Sequence, residues 1–205
     1  KDAECGYNAI RPRSWANFIY PYWTNSPSLN ITVNAVPGNA AVGDVALRYR
    51  FSPDNKSWGD WSLYGSKNSS PWTFQFNFSD GNGHYRFYSI ANDTAGNKEQ
   101  SPKLNYTKCG YDIILPVADA GPDRTINQKD RVHLIANGST DNNGLVNYSW
   151  TFNDKGLVTL FGVSPGYSFF NAGSFPVALK VTDVAGNQGT DSIVVTVMDI
   201  TKPLA

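Results

Sequence analysis

The chain has 205 residues with 17 basic and 17 acidic side chains, so its net charge is zero and no basic face for nucleic acid is expected. It holds 18 Gly, 12 Pro, 6 Trp, 11 Tyr and 11 Phe, whereas the helix former Glu occurs only at Glu4 and Glu99, which argues against helices. No apolar run approaches the roughly 20 residues that cross a bilayer, so we expect no direct membrane insertion.

A repeated junction motif divides the chain. Residues 5–12 read CGYNAIRP, residues 109–116 repeat the pattern as CGYDIILP, and a weaker copy, DITKP, occupies residues 199–203. A long, regular period with a proline at each junction is typical of tandem domains. The sequence therefore predicts two modules, residues 1–108 and 109–205, within a longer array of such modules.

The two cysteines, Cys5 and Cys109, flank the first module. They are too few for a zinc cage without help, so a disulfide formed in an oxidising compartment is the first interpretation. A disulfide needs Cα atoms within about 7 Å, whereas the first and last strands of a sandwich of about seven strands meet opposite poles. The predicted Cys5–Cys109 disulfide therefore requires residues 5–13 to run back along the module.

Four segments of the first module alternate apolar and polar residues, as half-buried strands do. Their expected inward positions are Leu29, Ile31, Val33 and Ala35; Val45, Leu47, Tyr49 and Phe51; Trp72, Phe74, Phe76 and Phe78; and Tyr85, Phe87, Ser89 and Ala91. Further strands near residues 15–19 and 104–107 would complete about seven, the number of an immunoglobulin-like sandwich.

Two tryptophans of the first module, Trp58 and Trp61, lie in the polar segment SWGDWS, residues 57–62. Exposed tryptophans beside Asp60 could stack on a sugar or anchor a partner. The interpretation that we favour is that they cap the sandwich or pack at the module junction.

Eight Asn-X-Ser/Thr sequons occur, against about three expected by chance from 21 Asn and 31 Ser plus Thr. The excess favours a glycosylated surface protein, although a β protein rich in these residues also collects sequons passively. Sequon asparagines on predicted strands take the opposite parity to the inward apolar residues. The candidate sites are Asn30, Asn55, Asn68, Asn77, Asn92, Asn105, Asn137 and Asn147.

The second module has the same hairpin sequence and the same strand alternation as the first. Residues 90–97 read IANDTAGN and residues 181–187 read VTDVAGN, so each module runs from a strand into D-x-A-G-N, a sequence suited to a tight hairpin. Its expected inward positions are Val132, Leu134 and Ala136; Val146, Tyr148, Trp150 and Phe152; Phe175, Val177, Leu179 and Val181; and Ile193, Val195 and Val197. The predicted fold is all-β, two tandem immunoglobulin-like β-sandwiches.

Residues able to carry catalysis are sparse. G-x-S-x-G is absent, and both His84 and His133 are expected at the solvated surface, so we expect no enzyme activity and no cofactor. An oxygen-rich loop at Asp141, Asn142 and Asn143 is expected to cluster with Asp119, Asp123 and Asp154, and such loops can hold Ca²⁺. It lacks the EF-hand spacing and its bidentate Glu, so we favour a turn-forming role, with calcium as the alternative.

Three segments of the second module carry a family resemblance: AGPD at 120–123, STDNNGLVNYSWTFND at 139–154 and GSFPVALKVTDVAGNQGTDSIVVTV at 173–197. Through them, residues 117–198 closely resemble the PKD (polycystic kidney disease) domain family. The family's W-x-F-x-D core is present as Trp150, Phe152 and Asp154, while Asn153 replaces the usual Gly and Phe175 the usual Tyr.

The first module carries the segments ALRYRFSPDNKSWGDWSLYG, SSPWTFQF and GHYRFYSIANDTAGNKE. With these, residues 20–100 resemble an immunoglobulin-like module found between PKD domains in large archaeal surface-layer-type proteins. The resemblance implies a non-catalytic structural or adhesion module of an extracellular, tandem-repeat surface protein. Its partners would be neighbouring modules, other surface proteins or glycans. The alternative is an accessory carbohydrate- or protein-binding role in a secreted protease or chitinase.

Overall fold

The computed structural model describes residues 10–100 and 106–200. All regular secondary structure within these residues is β-strand, which confirms the predicted fold class. Contacts divide the chain into unit 1, Lys1–Asp112, and unit 2, Ile113–Ala205. Nowhere in the described residues is there a helix of the length and apolarity that crossing a membrane requires.

Unit 1 is built from two layers of mostly antiparallel strands. Its strands are β1 (Arg13–Ala16), β2 (Trp23–Thr24), β3 (Ser28–Val36), β4 (Val42–Ser52), β5 (Ser62–Lys67), β6 (Trp72–Asn77), β7 (Gly83–Asp93) and β8 (Thr107–Tyr111). One sheet has the order β1-β3-β6 and the other β2-β8-β7-β4-β5, in which only the short β2–β8 pair is parallel. The core of the unit is made from the inward faces of these strands.

The predicted alternation of unit 1 is confirmed along its long strands. Ile31 and Val33 on β3, Val45 and Leu47 on β4, and Phe76 on β6 are buried, each at 3% exposure or less. The outer strands differ from expectation, since β1 begins at Arg13 and turns Trp15 outward, leaving it 45% exposed.

The last strand of unit 1 contains part of the repeated junction motif. β8 pairs with β7 from Gly83↔Tyr111 to Phe87↔Thr107, so residues 109–111 belong to the sheet. The expected module boundary after residue 108 cuts this strand, whereas the division by contacts falls after Asp112. Residues 5–9 of the first motif copy lie outside the described residues.

Unit 2 also has two layers. Its strands are β9 (Arg124–Asn127), β10 (Arg131–His133), β11 (Leu145–Asn153), β12 (Leu157–Phe161), β13 (Gly166–Ser168), β14 (Gly173–Asp183) and β15 (Gln188–Met198). The large sheet has the order β12-β11-β14-β15-β9, with β9 parallel to β15, and the small sheet pairs β10 with β13.

The core of unit 2 follows the predicted pattern with one exception. Trp150, Val177, Leu179 and Val195 are fully buried, but Val146 is 63% exposed, so its predicted inward position is wrong. The pairing of β11 with β14 shifts between Leu145 and Asn147, and a bulge of this kind reverses the alternation on its far side. Leu145 takes the inward place instead and packs against the core.

The two units share one hairpin in detail. In unit 1 the Asp93 carboxylate accepts hydrogen bonds from the backbone of Ala95 (3.0 Å) and from the backbone and side chain of Asn97 (2.7 and 2.9 Å). In unit 2 the Asp183 carboxylate accepts the same three from Ala185 and Asn187, all at 2.8 Å. The bonds from Asn97 hold the pKa of Asp93 below its ordinary value. The carboxylate thus organises both hairpins.

We expect Asp183→Ala to destabilise unit 2 by about 2–3 kcal/mol, because buried N–H groups that lose their acceptor cost about 1–3 kcal/mol each. Asp183 is 1% exposed, so water cannot replace the carboxylate without opening the hairpin. Urea unfolding followed by circular dichroism measures the loss. The matched control is Asp130→Ala, whose exposed carboxylate accepts only a 3.3 Å bond from Asn127 and whose loss should cost below about 0.5 kcal/mol. Equal effects from both variants would contradict this role for Asp183.

Candidate functional site

A row of three cations crosses the outer face of the five-stranded sheet of unit 1. Arg50 on β4 lies opposite Arg86 on β7, and Arg86 lies opposite Lys108 on β8. They face outward because their strand neighbours Tyr85 and Phe87 are buried in the core. Like charges in direct cross-strand register repel one another, so this row needs compensation.

Aromatic rings supply that compensation. The Arg50 guanidinium carbon lies 5.0 Å from the Trp58 ring centroid and 4.6 Å from that of Trp61. The Arg86 carbon lies 3.8 Å from the Trp58 centroid and 4.6 Å from that of Tyr106. Cation–π contacts contribute about 0.5–2 kcal/mol each, more where water is excluded. We call this set the cation–aromatic ladder: Arg50, Arg86, Lys108, Trp58, Trp61 and Tyr106.

Trp58 and Trp61 therefore have a role that the sequence did not indicate. Both are half-buried, Trp58 interacts with both arginines, and Trp61 also packs edge-on against Tyr88 at 4.4 Å. The cations that both rings contact belong to the neighbouring sheet of the same unit. A sugar or partner contact through these two rings stays a prediction. The sequence could not predict these cation–π contacts, because the arginines lie on strands far apart in sequence and only the sheet register brings them together.

His84 extends this outer face toward β2. Its Nδ1 lies 2.6 Å from the Tyr22 hydroxyl, and its ring centroid lies 5.0 Å from that of Trp23. Trp23 in turn covers Gly110, where a Cβ would come within 2.2 Å of the indole. His84 is thus half-buried and partnered, which corrects the expectation of a solvated side chain. His133, by contrast, is exposed on β10 as predicted.

Burial lowers the pKa of His84 below its ordinary value; Asp54 opposes that shift, while Arg86 and Lys108 add to it. When the pKa of a histidine is lower in the folded than in the unfolded chain, its contribution to stability is fully present above the unfolded pKa of about 6.5. As the pH falls below that value, the unfolded chain takes up a proton that the folded chain resists, so stability is lost.

We therefore expect unit 1 to lose stability between about pH 7.5 and 5.5. Urea unfolding followed by tryptophan fluorescence measures it, since Trp15, Trp23, Trp58, Trp61 and Trp72 all lie in unit 1. His84→Gln should flatten the pH dependence over this range. An unchanged slope in that variant would show that another group is responsible.

An exposed aromatic cleft lies at one end of the ladder. It is lined by Trp15, Ala16, Phe18, Tyr106 and Thr107. Phe18 is 80% exposed. Trp15 is 45% exposed, because it points away from the side of β1 on which Ser14 is buried. Tyr106 belongs both to this cleft and to the ladder, so the cleft and the cation row form one continuous surface.

The oxygen-rich loop of unit 2 forms a turn, as we favoured. The Asp141 Oδ2 accepts hydrogen bonds from the backbone of Asn143 (2.8 Å) and Gly144 (2.9 Å). Its Oδ1 is buried and, within the part of the chain that the structure describes, has no hydrogen-bond partner. A carboxylate oxygen of Asp183 lies within 4.8 Å of one of Asp141, a proximity that the sequence did not indicate. The calcium alternative at Asp141, Asn142 and Asn143 stays a prediction.

The other acids expected near this loop have separate local tasks. Asp119 Oδ1 accepts the Gly121 amide (2.8 Å), Asp123 Oδ1 accepts the Val194 amide (2.8 Å), and Asp154 Oδ2 accepts the Tyr167 hydroxyl (3.0 Å). The bond of Asp119 stays within its loop, whereas those of Asp123 and Asp154 join a loop to a strand.

Six sequon asparagines have exposed side chains: Asn30, Asn55, Asn68, Asn77, Asn137 and Asn147. Asn92 is half-buried, and its Nδ2 donates to both oxygens of Asp44, at 2.9 and 3.1 Å. Asn92 keeps the outward parity expected of it, since the preceding Ala91 is fully buried in the core, and it lies opposite Asp44 in the β4–β7 ladder. Asn105 lies outside the described residues.

Cys109 is fully buried in the core of unit 1. Burial raises the pKa of its thiol to about 12, so the thiol stays protonated at neutral pH while the unit is folded. Cys5 lies outside the described residues, and the Cys5–Cys109 disulfide stays a prediction.

Comparisons with known proteins bear on both units. Residues 115–197 match the family model described as PKD domain. The mouse (Mus musculus) dyslexia-associated protein KIAA0319-like protein is 37% identical over an alignment of 89 residues, and the match covers 40% of this chain and 8% of that protein. The chain thus corresponds to a small part of that relative.

A solved structure of Clostridium thermocellum CbhA fibronectin(III)-like modules matches across both units, with a TM-score of 0.52 at 14% identity. The match covers 94% of this chain and 99% of that one. At this identity the likeness concerns the fold alone, and it confirms tandem β-sandwich modules of the immunoglobulin and fibronectin type.

Proposed function

We propose, from the premise that residues 115–197 are a PKD domain, that the chain is a non-catalytic structural and adhesion segment of an extracellular, tandem-repeat surface protein. The family match is the observation that carries the proposal. Neighbouring modules and other surface proteins are its partners, with glycans as a further class. The array would be surface-layer-like and of archaeal type, as the sequence resemblance implies.

The use of polar groups in the two cores supports this proposal. The buried Asp93 and Asp183 each accept three hydrogen bonds within a hairpin, and the Trp150 Nε1 donates to the Gly162 carbonyl at 3.1 Å. These interactions hold backbone turns in place. Catalytic groups instead need a free face toward a reacting atom.

The alternative is that the two units serve a secreted protease or chitinase as accessory domains that bind carbohydrate or protein. The exposed aromatic cleft of Trp15 and Phe18 favours this candidate, because exposed rings are common anchors for ligands. The two proposals differ in what the full-length protein does, since only the second requires a hydrolase in the same chain.

Labelling of intact source cells with an antibody raised against this chain tests the location. The proposal expects labelling without permeabilisation, in the same amount before and after the membrane is opened. Labelling that depends on permeabilisation would overturn it. A parallel screen of the purified chain on peptide and polysaccharide substrates should give no turnover. Turnover that copurifies with the chain through two different purification steps would also overturn it.

We expect glycans on the native protein at exposed sequons, and none at Asn92. An N-glycan on Asn92 would replace an amide hydrogen that contacts Asp44. Asn77 on β6 is exposed, so a glycan there extends into solvent. Glycopeptide mass spectrometry on protein from its natural source measures occupancy site by site. Full occupancy at Asn92, or complete absence of glycans from all six exposed sites, would contradict this expectation.

A further inference from the structure

We propose that unit 1 binds an acidic polysaccharide, with sugar rings in the cleft of Trp15 and Phe18 and acidic groups on Lys108 and the edge of Arg86. This inference deepens the proposed function, in which glycans are a partner class, and it rests on that function; an accessory-domain role would use the same surface. It assigns the partner class to one surface, the cation–aromatic ladder together with the cleft that adjoins it.

Three cations give this surface its positive charge. Arg50, Arg86 and Lys108 form a row, and among residues 10–100 and 106–200 their contacts are aromatic rings rather than carboxylates. Asp54 is the carboxylate whose charge acts on His84 at this face, and it is held in its own loop by hydrogen bonds from Lys56 N (2.8 Å) and Ser57 N (2.7 Å). Arg50 shares a surface pocket with Asp60 and Asp80, whereas Arg86 and Lys108 contact aromatic rings, so these two are the cations open to an external anion.

The aromatic cleft presents exposed rings next to these cations. Phe18 is 80% exposed and Trp15 45% exposed, so apolar faces are presented to water beside the charge. Tyr106 joins the two regions, because it lines the cleft and lies 4.6 Å under the Arg86 guanidinium. Lys108 follows two residues later on the same outward parity of β8 and is exposed. A ligand seated on the rings thus comes within reach of the cations.

The layout of the cations favours a polymer as the occupant. Arg86 and Lys108 lie opposite each other on neighbouring strands, whose backbones run about 4.8 Å apart, so one extended chain can cross both. A polymer with carboxylate or sulfate groups on successive sugars can therefore place its charges along Arg86 and Lys108 while a sugar ring covers Phe18 or Trp15. Rigid aromatic anchors and charge-assisted hydrogen bonds together give such a ligand both affinity and orientation.

Affinity electrophoresis of the full chain in native gels tests the proposal, with polygalacturonate, dextran sulfate or neutral dextran cast into the gel. We expect retardation by at least one acidic polymer, weakening as salt is raised, and none by dextran. Retardation by polygalacturonate alone would assign carboxylate as the recognised group, and retardation by dextran sulfate alone would assign sulfate.

The variant Phe18→Ala with Lys108→Gln should weaken binding by about tenfold or more while its unfolding midpoint stays unchanged. The matched control, Phe161→Ala with Lys180→Gln, removes an exposed phenylalanine and an exposed lysine from unit 2 and should bind like the parent. A second variant, Trp15→Ala, gives an independent reading of the cleft.

Four results would overturn the proposal: no retardation by either acidic polysaccharide, equal retardation by dextran, equal losses in the test and control variants, or, with polyglutamate cast into a further gel, stronger retardation by it than by both polysaccharides. The last would assign the surface to an acidic protein. Each of these leaves the non-catalytic surface role intact, because cell labelling and the turnover screen test that role separately.

Discussion

Replacing Trp150 with Ala is expected to lower the free energy of unfolding of unit 2 by about 3–5 kcal/mol, the range for large buried aromatics. Trp150 is fully buried on β11, the strand between β12 and β14 in the large sheet. The change leaves a cavity and also removes the donor to the Gly162 carbonyl, which ties the chain after β12 to the core. Since a small domain has only about 5–15 kcal/mol of stability, one residue decides much of it.

Calorimetry on the full chain measures this effect, and the melting temperature should fall by about 4–8 °C for each kcal/mol. Fluorescence is unsuitable, because Trp150 is the single tryptophan of unit 2. Trp150→Phe should lose less, since it keeps most of the apolar volume. Leu157→Ala is the control, because that side chain on β12 is 80% exposed and should cost under about 0.5 kcal/mol. A similar loss from Leu157→Ala would contradict the claim that burial of Trp150 contributes strongly to the stability of unit 2.

Phe76→Ala in unit 1 is expected to cost a similar amount, about 3–5 kcal/mol. The Phe76 ring is fully buried at the centre of an aromatic cluster. Its centroid lies 4.8–5.6 Å from five other rings, those of Tyr49, Tyr64, Phe78, Tyr85 and Phe87. Most of these contacts are edge-to-face, a geometry that adds about 0.5–1.5 kcal/mol per pair beyond burial.

Urea unfolding followed by tryptophan fluorescence measures the Phe76 variant. Phe18→Ala is the matched control, since it removes the same side chain from an 80% exposed position of the same unit. The control should change stability by less than about 0.5 kcal/mol. Comparable losses in both variants would mean that the aromatic cluster does not dominate the core of unit 1.

Much of the fold could be predicted from the sequence because strand alternation has a period of two. The inward positions of β3, β4, β6 and β7 follow directly from it, and so does the Trp150 core of unit 2. Alternation fails where a bulge interrupts the ladder, as at Val146, because an extra residue on one strand reverses every position beyond it. Sequence alone gives no sign of such a bulge.

The surface features of unit 1 were harder to predict for a different reason. Trp58 and Trp61 stood out in the sequence, but their partners Arg50 and Arg86 become neighbours only through the register of β4 with β7. His84 looked solvated for the same reason, since Tyr22 and Trp23 reach it through the β2–β8 pairing. Long-range register decides these contacts, and a local pattern cannot reveal it.

The central claim is that this segment serves adhesion at the cell surface. Its most direct test is an in-frame deletion of residues 10–200 from the full-length protein in its source cells, followed by a count of cells that attach to their natural surface. The account predicts reduced attachment, with secretion of the remaining protein and any hydrolase activity in the medium unchanged. Unchanged attachment together with a loss of hydrolase activity on polymeric substrate would contradict it and would assign the segment to a secreted enzyme.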